Sequence, residues 1–155
     1  AMQHDHPAAV GRRRRERGAA LVECALVVPF LALLVLGTVE IGRLTRSQLA
    51  LAQAAREGAQ SAARGYSIER CAARVLNTAE HSGLIRANVH TITLEWSTDG
   101  GTWETLANSP SGTENASRRG HLVRVRVRYR HPLISRLVFP GSQREMSQVM
   151  VARRQ

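Results

Sequence analysis

The stretch Arg12-Arg13-Arg14-Arg15-Glu16-Arg17-Gly18-Ala19-Ala20-Leu21-Val22-Glu23-Cys24, with the apolar run that continues to Ile41, decides how the rest of the chain is read. A basic leader ends at Gly18, a carboxylate follows at Glu23, and no charged residue occurs from Cys24 to Val39. Extending the run to residues 19–41 takes in only Glu23 and Glu40 as charged groups. At ~1.5 Å rise per residue a helix over 19–41 reaches about 34 Å, against a hydrocarbon core of ~30 Å. With both glutamates near the headgroups, the segment reads as a membrane span. A secretory signal has an apolar core of only ~7–15 residues and then a small-x-small cleavage site. Here the run is longer and Glu40-Ile41-Gly42-Arg43 is a poor cleavage site, so residues 19–41 are expected to stay on the protein.

The arginines at 12–17 admit three uses: a nucleic-acid patch, a stop-transfer anchor or a basic n-region. Their position directly before an apolar helix decides for topology. Positive charge is retained in the cytoplasm, which puts the N-terminus inside and everything after Ile41 outside. The expected organisation is a cytoplasmic leader at 1–18, a transmembrane helix at 19–43, its extracytoplasmic continuation at 44–64, and a small extracytoplasmic α+β domain at 65–155.

Length and composition set the surroundings. Beyond the span about 110 of the 155 residues remain, room for one small domain. The formal charge of +10 is carried by 22 arginines and no lysine, and five of them lie between Arg12 and Arg17. Such a bias reads in part as coding preference rather than selection for cationic contact. Aromatics make up 4% of the chain, which argues against base stacking as a binding mode. Two cysteines, Cys24 inside the span and Cys71 outside it, define no disulfide framework. Ala1 ahead of Met2 reads as an appended residue and is set aside.

Residues 2–11 read as a disordered tail, and the His4/His6 pair lacks the further ligands a metal site needs. From Leu44 to Arg64 there is no proline, and Gln53, Arg56, Glu57, Gln60 and Arg64 share one helical face. Leu44, Leu51, Ala52, Ala55, Ala59, Ala62 and Ala63 gather opposite, a small-residue stripe that suits close approach to the chain's own domain or to a partner helix. Gly65 is a natural C-cap. Ser67 is placed to cap a second helix, with Ile68, Cys71, Ala72, Val75, Leu76 and Ala79 at core spacing and Gly83 ending it.

The remainder is β. Residues 88–96 alternate, Ile92, Leu94 and Trp96 against Thr91, Thr93 and Glu95. Asp99-Gly100-Gly101 marks a hairpin whose return runs from Trp103 to Leu106, and residues 107–120 form a polar loop. Residues 122–130 set Val123, Val125, Val127 and Tyr129 against Arg124, Arg126, Arg128 and Arg130. Pro132 ends that strand, 133–139 is a short apolar segment, Pro140-Gly141 turns, and 146–151 is a last strand.

At the N-terminal junction, Gly18 followed by Ala19-Ala20-Leu21-Val22-Glu23 is similar to the class III leader of type IV pilins and pseudopilins. In that family a membrane peptidase cuts after the glycine. Four segments in order, Arg17–Glu23, Ala25–Pro29, Gly37–Arg43 and Ala54–Ala59, resemble TadE-like proteins, the minor pseudopilins of the tight-adherence (Flp) pilus machinery. The resemblance covers residues 17–64. Cys24 and Ile41 stand where the family usually carries aromatics, and neither touches the glycine or the glutamate.

What the resemblance implies is an assembly role without a cofactor. A prepilin peptidase would cut between Gly18 and Ala19, and Glu23 of a neighbouring subunit would pair with the new amine. Other pilins and pseudopilins, the inner-membrane assembly platform and membrane lipid are the implied partners. On the residues alone, Gly18 is equally a flexible joint, and Glu23 reaches the headgroups beside Arg17. Glu40 and Arg43, three apart, suit a helix-surface pair at the outer interface. Pro29 is expected to bend the span. Arg124, Arg126, Arg128 and Arg130 would grip DNA or an acidic polymer, or form the solvated face of a sheet whose valines cover the helix. Cys71 reads as a small apolar core residue, with a redox-active thiol as the alternative.

No GxSxG, HExxH or phosphate-cradling glycine loop occurs, and His81, His90, His121 and His131 have no ligand spacing. An enzyme is not expected. Three roles follow: a pseudopilin cut at Gly18, an uncleaved single-pass accessory of the same machine, or a polyanion-binding surface protein. In each the chain is a single-pass membrane protein, pilus-associated in the first.

Overall fold

The computed structural model describes residues 8–133 and 143–155, with side chains from Leu21 onward. It is an α+β structure: two helices, then a small antiparallel sheet, in the order α1 (Ala8–Ala63), α2 (Ile68–His81), β1 (Val89–Ser97), β2 (Glu104–Thr105), β3 (Leu122–Pro132) and β4 (Gln143–Arg153). The chain divides between Val39 and Glu40 into two compact units. The His4/His6 pair, the apolar segment from 134 onward and the Pro140-Gly141 turn lie outside the described residues.

Helix α1 begins at Ala8, so residues 8–11 are helical where a disordered tail was expected. Alanine and arginine are strong helix formers, and a helix already nucleated by the apolar run extends into them at little cost. Gly18 lies within this helix rather than at a break in it. In the first unit the apolar side chains face outward all round, Leu26, Phe30 and Val35 among them, the pattern of a helix whose solvent is not water. By length and composition α1 is the one helix among the described residues suited to cross a membrane. Thr38, the last hydroxyl of the run, donates back to the Leu34 carbonyl (2.8 Å) and so leaves no free polar hydrogen there.

In the second unit the remainder of α1 lays its small residues under the sheet. Ala50, Leu51, Ala54, Ala55, Ala59 and Ala62 are buried, and the core adds Cys71, Val75 and Ala79 from α2 with Val123, Val125 and Val127 from β3. The alanine stripe therefore packs against its own domain. Closest approach comes at Gly58, where an added Cβ would run into Val75 and lie 3.3 Å from Val125. Gln53, Arg56 and Arg64 are exposed as the helical spacing predicts, while Glu57 and Gln60 are half-buried.

Both helices end in the same way. At Gly65 (φ 88°) the amides of Gly65 and Tyr66 turn back to Ala62 and Ser61, and at Gly83 (φ 85°) those of Gly83 and Leu84 turn back to Glu80 and Ala79. Ser67 occupies the N-cap position of α2 but makes no side-chain cap. Asn108 replaces it: its Oδ1 accepts from the Ile68 amide (2.8 Å) and its Nδ2 donates to the Glu69 carboxylate (2.9 Å). The polar loop at 107–120 is thus tied to α2 through Asn108, and to α1 through Asn115, which donates to the Ala62 carbonyl.

The sheet is antiparallel with strand order β2-β1-β3-β4. Register places Ile92, Leu94 and Trp96 opposite Val127, Val125 and Val123 on the core face. On the outer face Thr91, Thr93 and Glu95 stand opposite Arg128, Arg126 and Arg124. The predicted strand at 146–151 is longer, Gln143–Arg153, because its whole length pairs with β3.

Candidate functional site

The residues singled out from the sequence fall into three places. The first is the N-terminal half of α1. Gly18, Ala19 and Glu23 lie on one uninterrupted helix, and Ala19 and Glu23, four apart, share a face of it. Glu23 and Cys24 are exposed, and Pro29 sits inside the helix, which continues through it. A carboxylate on an apolar helix with nothing packed against it has to find its partner in another molecule or at the headgroups.

The second place is the start of the second unit, and here the structure corrects an expectation. Glu40 is not part of an exposed helix-surface pair: it is buried, and its Oε1 lies 4.0 Å from Nε2 of His131, itself buried at the end of β3. Ser47, two helical turns on from Glu40, is bonded to the other ring nitrogen, Oγ to Nδ1 at 3.0 Å. Burial lowers the His131 pKa below its ordinary value, the nearby Arg43 guanidinium lowers it further, and Glu40 opposes both. The charged form of the ring is thus disfavoured, and through Ser47 the imidazole ties α1 to β3. Sequence spacing put Glu40 and Arg43 three apart on α1 but had no means of bringing in a histidine 91 residues away.

The third place is the arginine strand. Register and burial put all four side chains on the outer face, but they are not four free cations. Arg124 is clamped: its Nη2 and Nε both reach Oε2 of Glu95 at 2.6 Å, and its guanidinium lies 4.1 Å over the Trp103 ring. Arg128 pairs with Glu145 at 3.8 Å across to β4. Arg126 is half-buried, its Nε closed off from solvent, and Arg130 is exposed.

Cys71 is buried, its thiol donates to the Tyr66 carbonyl (3.4 Å), and burial pushes its pKa up to about 11. A thiol so protonated is a packing group and a poor nucleophile. Among the described residues no three His, Cys, Asp or Glu side chains gather where a metal could be held. Sequence reasoning also missed Asn115. Buried in the polar loop, it donates to the Ala62 and Tyr66 carbonyls (2.9 Å each) and closes the end of α1.

An apolar helix long enough to span a bilayer is joined in one chain to a small α+β domain, which gives the protein a candidate membrane anchor. Residues 18–60 match the family of TadE-like proteins. The resemblance read from the sequence is borne out over that stretch, and a TadE-like match there points to a component associated with the tight-adherence pilus system. No curated protein sequence and no solved structure shows significant similarity to the chain.

Proposed function

We propose that the protein is a minor pseudopilin, a structural and assembly component of a tight-adherence pilus, cut by a prepilin peptidase between Gly18 and Ala19. One observation carries this reading: the family match opens at Gly18, and the exposed Glu23 follows on the face of Ala19. Cleavage there leaves a cationic amine at Ala19 and a carboxylate one helical turn along. In a bundle of parallel helices the amine of one subunit pairs with Glu23 of the next, which removes two charges from the bilayer at once. Pro29 denies the Ala25 carbonyl its helical donor and gives the span a place to bend during packing. The arginines at 12–17 hold the leader in the cytoplasm, where the peptidase platform works, and the domain from residue 44 onward lies outside. Partners are the peptidase, other pilins and pseudopilins, the inner-membrane assembly platform and lipid.

The test is the N-terminus of the membrane-bound protein, read by mass spectrometry from cells with and without the peptidase. A peptidase-dependent start at Ala19, abolished by Gly18→Arg, is the expected result. An intact leader in both strains overturns it in favour of an uncleaved anchor. The polyanion reading is the weaker one, because Arg124 and Arg128 already have carboxylate partners.

A further inference from the structure

We propose that the cleft between α1 and the turn after α2 binds a phosphate-class oxyanion through Arg43, Arg46 and Tyr129. The cleft measures about 240 Å³, and these three residues line it with Ser82, Gly83 and His131. Its volume is below the ~300–1,000 Å³ of a drug-sized ligand, which suits a headgroup or a free anion.

Its polar groups are donors in want of an acceptor. Nη1 of Arg43 is closed off from solvent and has no hydrogen-bond partner. Among the described residues Glu57, Glu80, Glu95, Glu114 and Glu145 pair with other cations, and Glu40 lies against His131. A guanidinium nitrogen closed off from water without a partner is costly, and an oxyanion is the ligand that offsets this while fitting the planar fork. The Tyr129 hydroxyl accepts from the Ile85 amide (3.4 Å) and donates to no described residue, so its proton is free for the cleft. Arg46 lies against Gly83, where a Cβ would stand 4.0 Å from its Nη2.

The surrounding charges are of both signs. Burial and Arg43 disfavour the charged form of His131, and Arg144 stands opposite it on β4. Buried Glu40 lies 4.0 Å from the ring, and Glu80 at the end of α2 is taken up by Arg86 (3.5 Å). The backbone supplies no donor, because the amides of Ser82, Gly83 and Leu84 are all spent in closing α2. Recognition therefore rests on the two guanidinium groups and the phenol.

Two sources fit this chemistry. Leu84, Ile85 and Pro132 give the cleft an apolar flank, and Arg43 follows by four positions the last residue of the charge-free run, Val39. A lipid phosphate meets both features, and inorganic phosphate meets the polar one alone. The inference does not rest on cleavage at Gly18, and neither outcome of that test bears on it.

The experiment follows the arginine Nε–Hε resonances of the full chain in uncharged maltoside micelles. One arm titrates inorganic phosphate, a second phosphatidylglycerol, and a third diacylglycerol as the lipid without phosphate. Saturable shifts of Arg43 and Arg46 are expected, with affinity about tenfold weaker in Arg46→Gln, a change at an exposed side chain. Tyr129→Phe, which keeps the ring, weakens binding further, and Arg126→Gln leaves it unchanged. A response to phosphatidylglycerol alone assigns the oxyanion to lipid, and a response to phosphate alone assigns it to the free ion. No saturable shift with either, equal affinity in Arg46→Gln, or an equal response to diacylglycerol overturns the proposal.

Discussion

Nε2 of His131 and Oε1 of Glu40 lie 4.0 Å apart, both side chains buried, at the point where the second unit of the chain begins. Because burial and Arg43 depress the His131 pKa, the folded state binds fewer protons than the unfolded chain, whose histidine titrates near 6.5. Stability then rises with pH across that window. It is fully present above the unfolded value and is lost as pH falls below 6.5 toward the folded value. Thermal melts of the full chain in detergent are expected to drop between about pH 7 and about pH 5. His131→Gln, which keeps a polar group for Ser47 but does not titrate, should flatten this dependence. Melts equally pH-dependent in the variant would assign the effect to other groups.

The helix packing yields a pair of substitutions with opposite signs. Gly42 has nothing within 4 Å of an added Cβ, so Gly42→Ala should gain about 0.5–1 kcal/mol from helix propensity alone. Gly58 is confined between Val75 and Val125, two stiff side chains in the core. Gly58→Ala should lose that gain to overpacking of about 1–3 kcal/mol, and Gly58→Leu should prevent native packing. Chemical denaturation of both variants in one detergent gives the comparison. Stabilisation by Gly58→Ala would mean that α1 and β3 are not so closely seated.

Much of this was legible in the sequence because the signals are local. Valine and arginine alternate from Val123 to Tyr129 with a period of two, and alternation of that kind leaves only which side is covered to be decided. Glycines at 65 and 83 announced both helix ends through their backbone freedom. The candidate span announced itself by the absence of charge. What stayed hidden depends on partners far along the chain. Asn115 looks like any loop asparagine until the chain brings it to the carbonyls of Ala62 and Tyr66, and Asn108 takes over a capping role that Ser67 was expected to fill. Glu40 shows the same limit from the other side. Its neighbours on the helix were readable, and its burial against His131 was not.

The arginine face makes a prediction that separates structure from binding. Arg124, a half-buried side chain that holds Glu95 and covers Trp103, should cost about 1–2 kcal/mol when replaced by alanine. Arg130, exposed on the same face, should stay within ±0.5 kcal/mol, a surface change of the ordinary kind. If the face instead captures polyanions, Arg130→Ala would weaken heparin retention and reduce its salt dependence while leaving stability alone. Equal elution of wild type and variant across a salt gradient would assign the face to solvation of the sheet's outer side.

Glu23 is where processing and assembly can be told apart. Its carboxylate is exposed on α1 and remote in sequence from every buried side chain of the second unit, so Glu23→Gln should leave folding untouched. Glutamine keeps the size and hydrogen-bonding reach of the side chain but not its charge. If Glu23 pairs with a neighbour's new amine, the variant should still be cut to begin at Ala19, yet the mature protein should be depleted from sheared pilus fractions about tenfold or more, as expected for a cation left unpaired in a low-dielectric bundle. Mass spectrometry of the N-terminus and immunoblots of sheared and membrane fractions give both readings from the same cells. A variant that is cut and still enters the pilus fraction at the wild-type level would show that the amine finds its counter-charge elsewhere, and the carboxylate would then serve only to set the depth of the helix.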